Sequence, residues 1–268
     1  MTPVYLKEIS LVDSHAHLNM EEFDKDLPEI IQRAHELGIE AILCPTDITE
    51  KDRHPIAVEL TRSHSWIYLA AGVHPHHADK FQPECEIRIT KLAEEDSIVA
   101  VGEIGLDFHY NFSPPSLQLE VFQKQLRLAQ VLDLPVVIHC RKAGEEVSRA
   151  IEKSSFTGGG VLHCFTEDWE FAQLMMKKGF YVSFSGIVTF PNAQQLRETA
   201  RKIPIEKLMV ETDSPFLVPA PYQGKIKRNE PRFVLENARF LADLKNIDFK
   251  SFAEKTTENF YRCFRIEI

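Results

Sequence analysis

Eight short apolar runs recur along this chain, each bounded by Gly, Pro or Asp, and this alternation constrains the fold more than any other feature. The runs fall at 8–13, 39–44, 66–73, 97–103, 134–139, 159–163, 179–185 and 206–212. They are rich in β-branched residues, as strands buried on both faces of a parallel sheet are. The stretches between them carry a helical period, for example Leu119, Phe122, Leu126 and Ala129 at spacings of three, four and three. Gly38 follows the Leu27, Ile31, Ala34 face and Gly179 follows Phe171, Leu174 and Met175, each where a helix cap would turn the chain into the next strand. Eight strand–helix units in 268 residues predict an α/β fold, a (β/α)8 TIM barrel forming a single domain over 1–268. An open doubly wound sheet is the competing architecture, but no GxGxxG follows the first run.

The same sequence excludes several classes. The longest apolar stretch, Trp66 to Val73, is eight residues, far short of the roughly 18 that would suggest a membrane span, so no membrane partner is expected. The segment MTPVYLKEIS carries acid and no apolar run with a small-residue cleavage site, so a secretory signal is not expected either. Five scattered cysteines without a CxxC pair read as free thiols of a reducing, cytoplasmic compartment. A net charge of −9 argues against holding nucleic acid by a general basic surface. An acidic enzyme can still act on nucleic acid if bound cations and a local basic loop supply the positive field.

In a TIM barrel the active site lies at the C-terminal strand ends, and here those ends are loaded. Run one leads into Asp13-Ser14-His15-Ala16-His17, run three into His74-Pro75-His76-His77, and run four into Glu103-Ile104-Gly105-Leu106-Asp107. Run five ends in His139-Cys140-Arg141, run six in His163-Cys164-Phe165, and run eight in Glu211-Thr212-Asp213-Ser214-Pro215. Side chains two apart on an extended chain share a face, so His15 and His17 can bind one ion. By the same rule Cys140 and Cys164 are expected to turn away from the pocket if His139 and His163 face it. Glu103 and Asp213 supply anionic ligands, and a carboxylate has two oxygens with which to bridge a metal pair. A single histidine is most often a surface or satisfied core residue, which is the reading for His35, His54, His64 and His109. The joint pattern of His15, His17, Glu103, His139, His163 and Asp213 at shared strand ends reads instead as a divalent metal centre.

The rim is less specific. His74, His76 and Arg141 are candidates for substrate contact or for support of the ligands, and Asp107 reads equally as a loop cap or a catalytic group. Lys225, Lys227 and Arg228 lie after the last strand; they are either a solvated charge run or a phosphate-binding loop.

The segments VDSHAHL (12–18), GVHPH (72–76), GEIGLD (102–107), LPVVIHCR (134–141), HCF (163–165), ETDSPFL (211–217) and RNEP (228–231) resemble those of the TatD family of metal-dependent deoxyribonucleases, within the amidohydrolase-like barrels. The resemblance implies metal binding by the same six residues and DNA as substrate, trimmed from a 3′ end. Two departures stand out: GKIKRNEP is longer than the family's usual Gly-Lys-x-Asn-Glu-Pro loop, and Glu167 replaces the Gly that commonly follows HCFT. The expected enzyme is a hydrolase of DNA phosphodiesters using two divalent ions, Mg2+ or Mn2+, with Zn2+ the other candidate. Asp213 is then the general base and Glu103 the bridge, and no obligatory protein partner is required. The alternative is a metal-dependent amidohydrolase acting on a C–N bond of a small molecule. Many such barrels place a carbamate-forming lysine where this chain has Glu103. A deaminase would use a Glu four residues after the strand-six His, the position of Glu167.

Overall fold

The computed structural model describes residues 10–267. The segment read above for a secretory signal lies almost wholly outside them, as do the first two residues of run one. Each of the eight runs overlaps a strand, and β2, β4 and β5 continue two to four residues beyond theirs: β1 Leu11–Asp13, β2 Ile39–Asp47, β3 Ile67–Gly72, β4 Ala100–Asp107, β5 Val136–Arg141, β6 Gly160–Leu162, β7 Phe180–Phe184 and β8 Leu208–Val210. They pair in chain order, all parallel. Past the ends of β8 and β1 the ring is completed by the Ser14 N–H donating to the Val210 carbonyl at 3.1 Å and by a parallel bridge between Ala16 and Ser214. Helices α1 (Leu27–Glu36), α2 (His54–Ser63), α3 (Pro83–Glu94), α4 (Pro115–Val131), α5 (Gly144–Lys153), α6 (Trp169–Lys177) and α7 (Gln194–Lys202) follow the first seven strands in turn. Two more, α8 (Val234–Lys245) and α9 (Phe249–Cys263), follow β8. The fold is a (β/α)8 barrel.

Two apolar layers organise it. Alternate residues of every strand, Val12 on β1 through Met209 on β8, fill the barrel interior, and Phe260, Cys263 and Phe264 from the end of α9 join that cluster as a stopper at the N-terminal end of the strands. The opposite faces, with Val136, Ile138 and Cys140 on β5, pack outward against the helices. The helical period read on α4 buries Phe122, Leu126 and Ala129, and Gly38 and Gly179 take positive φ as predicted. Leu174, assigned to the apolar face of α6, is exposed; Ala172 takes the buried position beside Phe171 and Met175.

Strict alternation fails at one functional place. Val101, Ile104 and Leu106 all face the helix layer, and the β4 ladder shifts register between Val101 and Ile104. The extra residue rotates the strand so that Glu103 turns inward, as bulges do when they re-aim a side chain beside a site. Glycine is required there: a Cβ on Gly102 would lie 2.6 Å from that of Val137, and Gly105 sits at φ +140° against the His139 carbonyl. Buried glutamines on α4 then fix the strand ends. Gln125 pairs with both backbone groups of Val73, and Gln118 does the same for Asp107.

Because Phe260 is fully buried in the stopper, Phe260→Ala is expected to cost about 3–5 kcal/mol through lost burial and a cavity. Urea unfolding measures it; a loss under about 1 kcal/mol would mean that α9 does not close the barrel.

Candidate metal centre

β1 and β8 end just below the mouth, and the turns beyond them bring their polar residues together. The Asp213 N–H donates to the His15 carbonyl at 2.9 Å and the His17 N–H to the Ser214 carbonyl at 2.8 Å. Fully buried Asp13 staples the same seam, accepting from the Thr212 N–H at 2.8 Å and its hydroxyl at 2.6 Å. His15 and His17 therefore present their Nε2 atoms 3.2 Å apart.

Glu103 stands at the centre. Its Oε2 lies 3.3 Å from His15 Nε2 and 3.9 Å from His17 Nε2. Its Oε1 lies 2.7 Å from His163 Nε2, 2.9 Å from His139 Nδ1 and 3.3 Å from His74 Nε2. Asp213 Oδ1 completes the first side, 3.4 Å from His17 Nε2 and 3.9 Å from His15 Nε2. Three sets of donors converge closely enough to hold a cation: His15, His17 and Glu103; His15, His163 and Asp213; and His74, Glu103 and His139. All six residues read from the sequence as ligands are thus brought together. His74, read as a rim residue, joins them because the turn after β3 carries its ring inward beside Glu103.

The donor chemistry fits divalent cations. Five imidazole nitrogens surround one carboxylate, more than its roughly four lone-pair sites can accept from. Asp107 can only accept, so His139 donates to it from Nε2 at 3.1 Å, and in a neutral ring this leaves the Nδ1 lone pair facing Glu103. Burial opposes charge on His139, but Asp107 and Glu103 lift it above the ordinary imidazole value, so a proton holds the space between Nδ1 and Glu103, and a shared cation can take its place. Burial opposes charge on Glu103, yet His163 and His74 hold its carboxyl well below the usual carboxylate range. Burial opposes charge on His163 as well, but Glu103 and Glu211 lift it well above the ordinary imidazole value. Metal binding displaces such protons. His74 is pushed down to about 4 by burial, which keeps its ring neutral, the form that ligates.

Behind His139 and His163 stands a second carboxylate, the arrangement that fixes tautomer and orientation at metal sites, and a third holds the backbone of His74. Asp107 accepts from His139 and, at 2.9 Å, from His76. Glu211 lies 3.3 Å from His163 Nδ1 and accepts the Cys164 N–H at 2.7 Å. Asp47 accepts the His74 N–H at 3.1 Å and pairs with His77 at 2.9 Å. Glu211 and Asp47 were missed in the sequence, although Glu211 stands within ETDSPFL and Asp47 two residues beyond the Pro45 that follows run two.

All of these histidines and acids but His15, Glu211 and Asp13 line a cavity of about 560 Å³ at the C-terminal ends of the strands. The profile of the family described as "TatD related DNase" matches residues 12–265. This chain belongs to that family. Among relatives of this TatD-family chain, the uncharacterized metal-dependent hydrolase YabD of Bacillus subtilis (strain 168) is 43% identical, over 96% of this chain and 99% of that one. A protein of Shigella flexneri serotype 5b named 3′-5′ ssDNA/RNA exonuclease TatD is 35% identical, over 96% and 99%. The crystal structure of YJJV, a TatD homolog from Escherichia coli K12, superimposes with a TM-score of 0.90 at 26% identity, over 97% of this chain and 100% of that one. The family and its metal-dependent hydrolase relatives place a divalent-metal hydrolase on this barrel.

The outer parts of the TatD-family site differ from the sequence reading. Arg141 lines the cavity and its guanidinium lies 4.7 Å over the Tyr110 ring. Arg228, read as either a solvated charge or a phosphate contact, is bound to Asp26 and to the Glu22 carbonyl across the Phe23 ring, because α1 presents an acidic N-terminal approach to the loop. Lys225 donates to the Pro221 carbonyl at 2.9 Å; it and Lys227 are exposed, outside the cavity lining. Cys140 and Cys164 both border the cavity, against the expectation from alternation. Cys140 does pack in the outer layer, but β6 has ended by Cys164, whose φ of +44° breaks the two-residue period and leaves its Sγ 3.2 Å from Ser185 Oγ.

The RNEP segment has a positioning role. Buried Asn229 donates from Nδ2 to the Thr212 carbonyl at 3.0 Å and the Leu217 carbonyl at 3.3 Å, spanning the turn that carries Asp213. Glu230, gripped in bidentate fashion by Arg33, fixes Asn229 from behind. Asn229→Ala is expected to lose about 1–3 kcal/mol for the two carbonyls left without donors. Asn229→Asp, which faces them with a carboxylate, should be less stable still. Thermal and urea unfolding give the order, and an Asp variant as stable as wild type would show that this clamp carries no load.

Proposed function

We propose that this chain hydrolyses phosphodiester bonds of nucleic acid, DNA foremost, with two divalent cations held by His15, His17, Glu103, His139, His163 and Asp213, and with His74 beside the second. The observation that carries this reading is the division of Glu103: one oxygen belongs to the His15–His17 side and the other to the His139–His163 side. That is the disposition of a bridging carboxylate. When bound, the ions activate water at neutral pH and offset charge on the scissile phosphate and leaving oxygen. Mg2+ or Mn2+ suits an oxygen-rich substrate, and the nitrogen-rich donor set also accommodates Zn2+.

The chain's own residues supply the rest. Asp213 Oδ1, beside His17 Nε2 in the cavity lining, accepts the proton of the attacking water as general base. Asp107 keeps His139 and His76 oriented by accepting from both. Among the described residues no carboxylate lies within ion-pairing distance of Arg141, so its guanidinium is free for a phosphate oxygen. Lys225 and Lys227 are left to act on a longer strand at a distance. The name of the Shigella relative favours a 3′-5′ exonuclease acting on single strands. Among the described residues no helix is long and apolar enough to cross a membrane.

The C–N hydrolase reading loses its best residue. Glu167 accepts the Lys142 N–H at 2.7 Å, lies 3.8 Å from Cys140 Sγ and is not among the residues lining the cavity, so it caps the turn after β5 and is not poised as a deaminase acid/base. Purified protein with Mg2+, Mn2+ or Zn2+, offered end-labelled single- and double-stranded DNA, RNA and a panel of small amides, tests the proposal; turnover of amides alone would overturn it. Glu103→Gln should lower DNA hydrolysis by more than the roughly 100-fold that loss of a mere supporting residue causes at metal sites. Bound metal, measured by elemental analysis, should fall with it. Wild-type activity and metal content in that variant would remove the bridge.

A further inference from the structure

Two banks of the cavity mouth carry large aromatic side chains that the metal centre does not use. On the bank of His76 and His139, Tyr110 is 50% and Phe112 68% exposed; on the bank of His17 and Asp213, Phe216 is 45% exposed. The Tyr110 and Phe112 rings lie nearly parallel, 8° apart with centroids separated by 5.5 Å. Both meet the His76 ring edge-on, and Phe216 meets the His17 ring in the same way. Exposed aromatics next to a cavity are costly in water and mark a binding surface more often than scattered single residues do.

The loop that carries the first pair is rigid. Asp107 Oδ1 accepts the N–H groups of both His109 and Tyr110 at 2.9 Å. At the far end, Ser113 is buried, donating to the His76 carbonyl at 3.0 Å, while Gln118 donates to the Ser113 carbonyl at 2.8 Å. The exposed rings thus stand on a backbone pinned at both ends, so little order has to be gained when a flat ligand settles on them. Arg141, whose guanidinium lies over Tyr110, joins this ledge to the phosphate side of the cavity.

We infer that Tyr110 and Phe112 form a nucleobase-stacking platform on one side of the scissile phosphate, with Phe216 receiving a base on the other, so that the strand is read unpaired with its bases turned outward onto the rings. The inference rests on the phosphodiesterase reading and deepens it. Stacking suits the site because every base has a π-face, so a platform of this kind grips a strand without reading its sequence. A paired duplex keeps its bases stacked on one another and cannot offer them to both banks.

The test uses the metal-loaded full chain and two oligonucleotides of equal length and charge, an oligothymidylate and its abasic counterpart with the same phosphodiesters. Wild type should prefer the thymidylate in kcat/KM and in binding read by fluorescence polarisation. Tyr110→Ala and Phe112→Ala should each reduce that preference about tenfold, with Tyr110→Phe retaining it. Bound metal and unfolding midpoints of the variants identify any that fail through misfolding, and the conservative Phe112→Leu, which keeps bulk but not the ring, repeats the measurement on a packed loop. A preference unchanged in these variants, or equal losses on both oligonucleotides, would overturn the platform while leaving the phosphodiesterase intact. Cleavage of neither oligonucleotide by wild type would overturn both.

Discussion

The Glu103 carboxylate, inserted among five imidazoles at the mouth of an apolar barrel, is the constraint to which the rest of this structure answers. A buried carboxylate is costly unless cations and hydrogen bonds compensate it. Here the compensation is drawn from four different strand ends, those of β1, β3, β5 and β6. Each of those rings is set by its own strand end, and His139 and His163 also face a further carboxylate, Asp107 and Glu211. The geometry is therefore over-determined, which a site that must hold cations within tenths of an ångström requires.

That determination extends outward through a second ring of anions. Asp13, Asp47, Asp107 and Glu211 each tie a ligand or its backbone to a neighbouring element. Gln118 and Gln125 then tie the β3 and β4 ends to α4. The apolar layers beneath supply stability, and the polar ring above them supplies position. The α9 stopper matters for the same reason: it fills the N-terminal end of the barrel, so the packing that orients the strands does not depend on the polar end.

Much of this was legible in the sequence because it follows from period. Eight apolar runs gave eight strands, and strand ends located the histidines and the two acids, Glu103 and Asp213, that converge with them. What was not legible depends on breaks in period or on partners remote in sequence. From Ala100 inside the barrel, strict alternation would send Glu103 outward; only the register shift after Val101 brings it in, and that shift is set by close contact with Val137 and His139 across the ladder. Cys164 escapes the alternation rule because its strand has ended. Arg228 looked like a free cation because its partners, Asp26 and Glu22, lie some two hundred residues earlier. His74 could not be ranked above His76 or His77 from spacing alone, since the turn that separates their directions is built by Asp47 on another strand.

Charge at the mouth connects the metal centre to the substrate. The cavity lining holds five carboxylates, Asp47, Glu50, Glu103, Asp107 and Asp213, against one permanent cation, Arg141. Counting carboxylates and Arg141 alone, that sum is 1 − 5, or −4, inside a protein already at −9; a proton on His163 offsets part of it until cations displace that proton. A phosphodiester entering such a mouth is repelled, and the low-dielectric walls sharpen the repulsion. Two divalent cations would bring the formal charge of the lining to zero, whereas one would leave it at −2. A single ion could polarise a phosphate, but it would not remove the field that keeps a polyanion out. The acidic composition that seemed to argue against nucleic acid is thus reconciled with the proposed substrate by the carboxylates themselves: they make the mouth repulsive to phosphate when empty and neutral once the two proposed cations are in place, which leaves Arg141 and the proposed aromatic banks to set where a strand would lie.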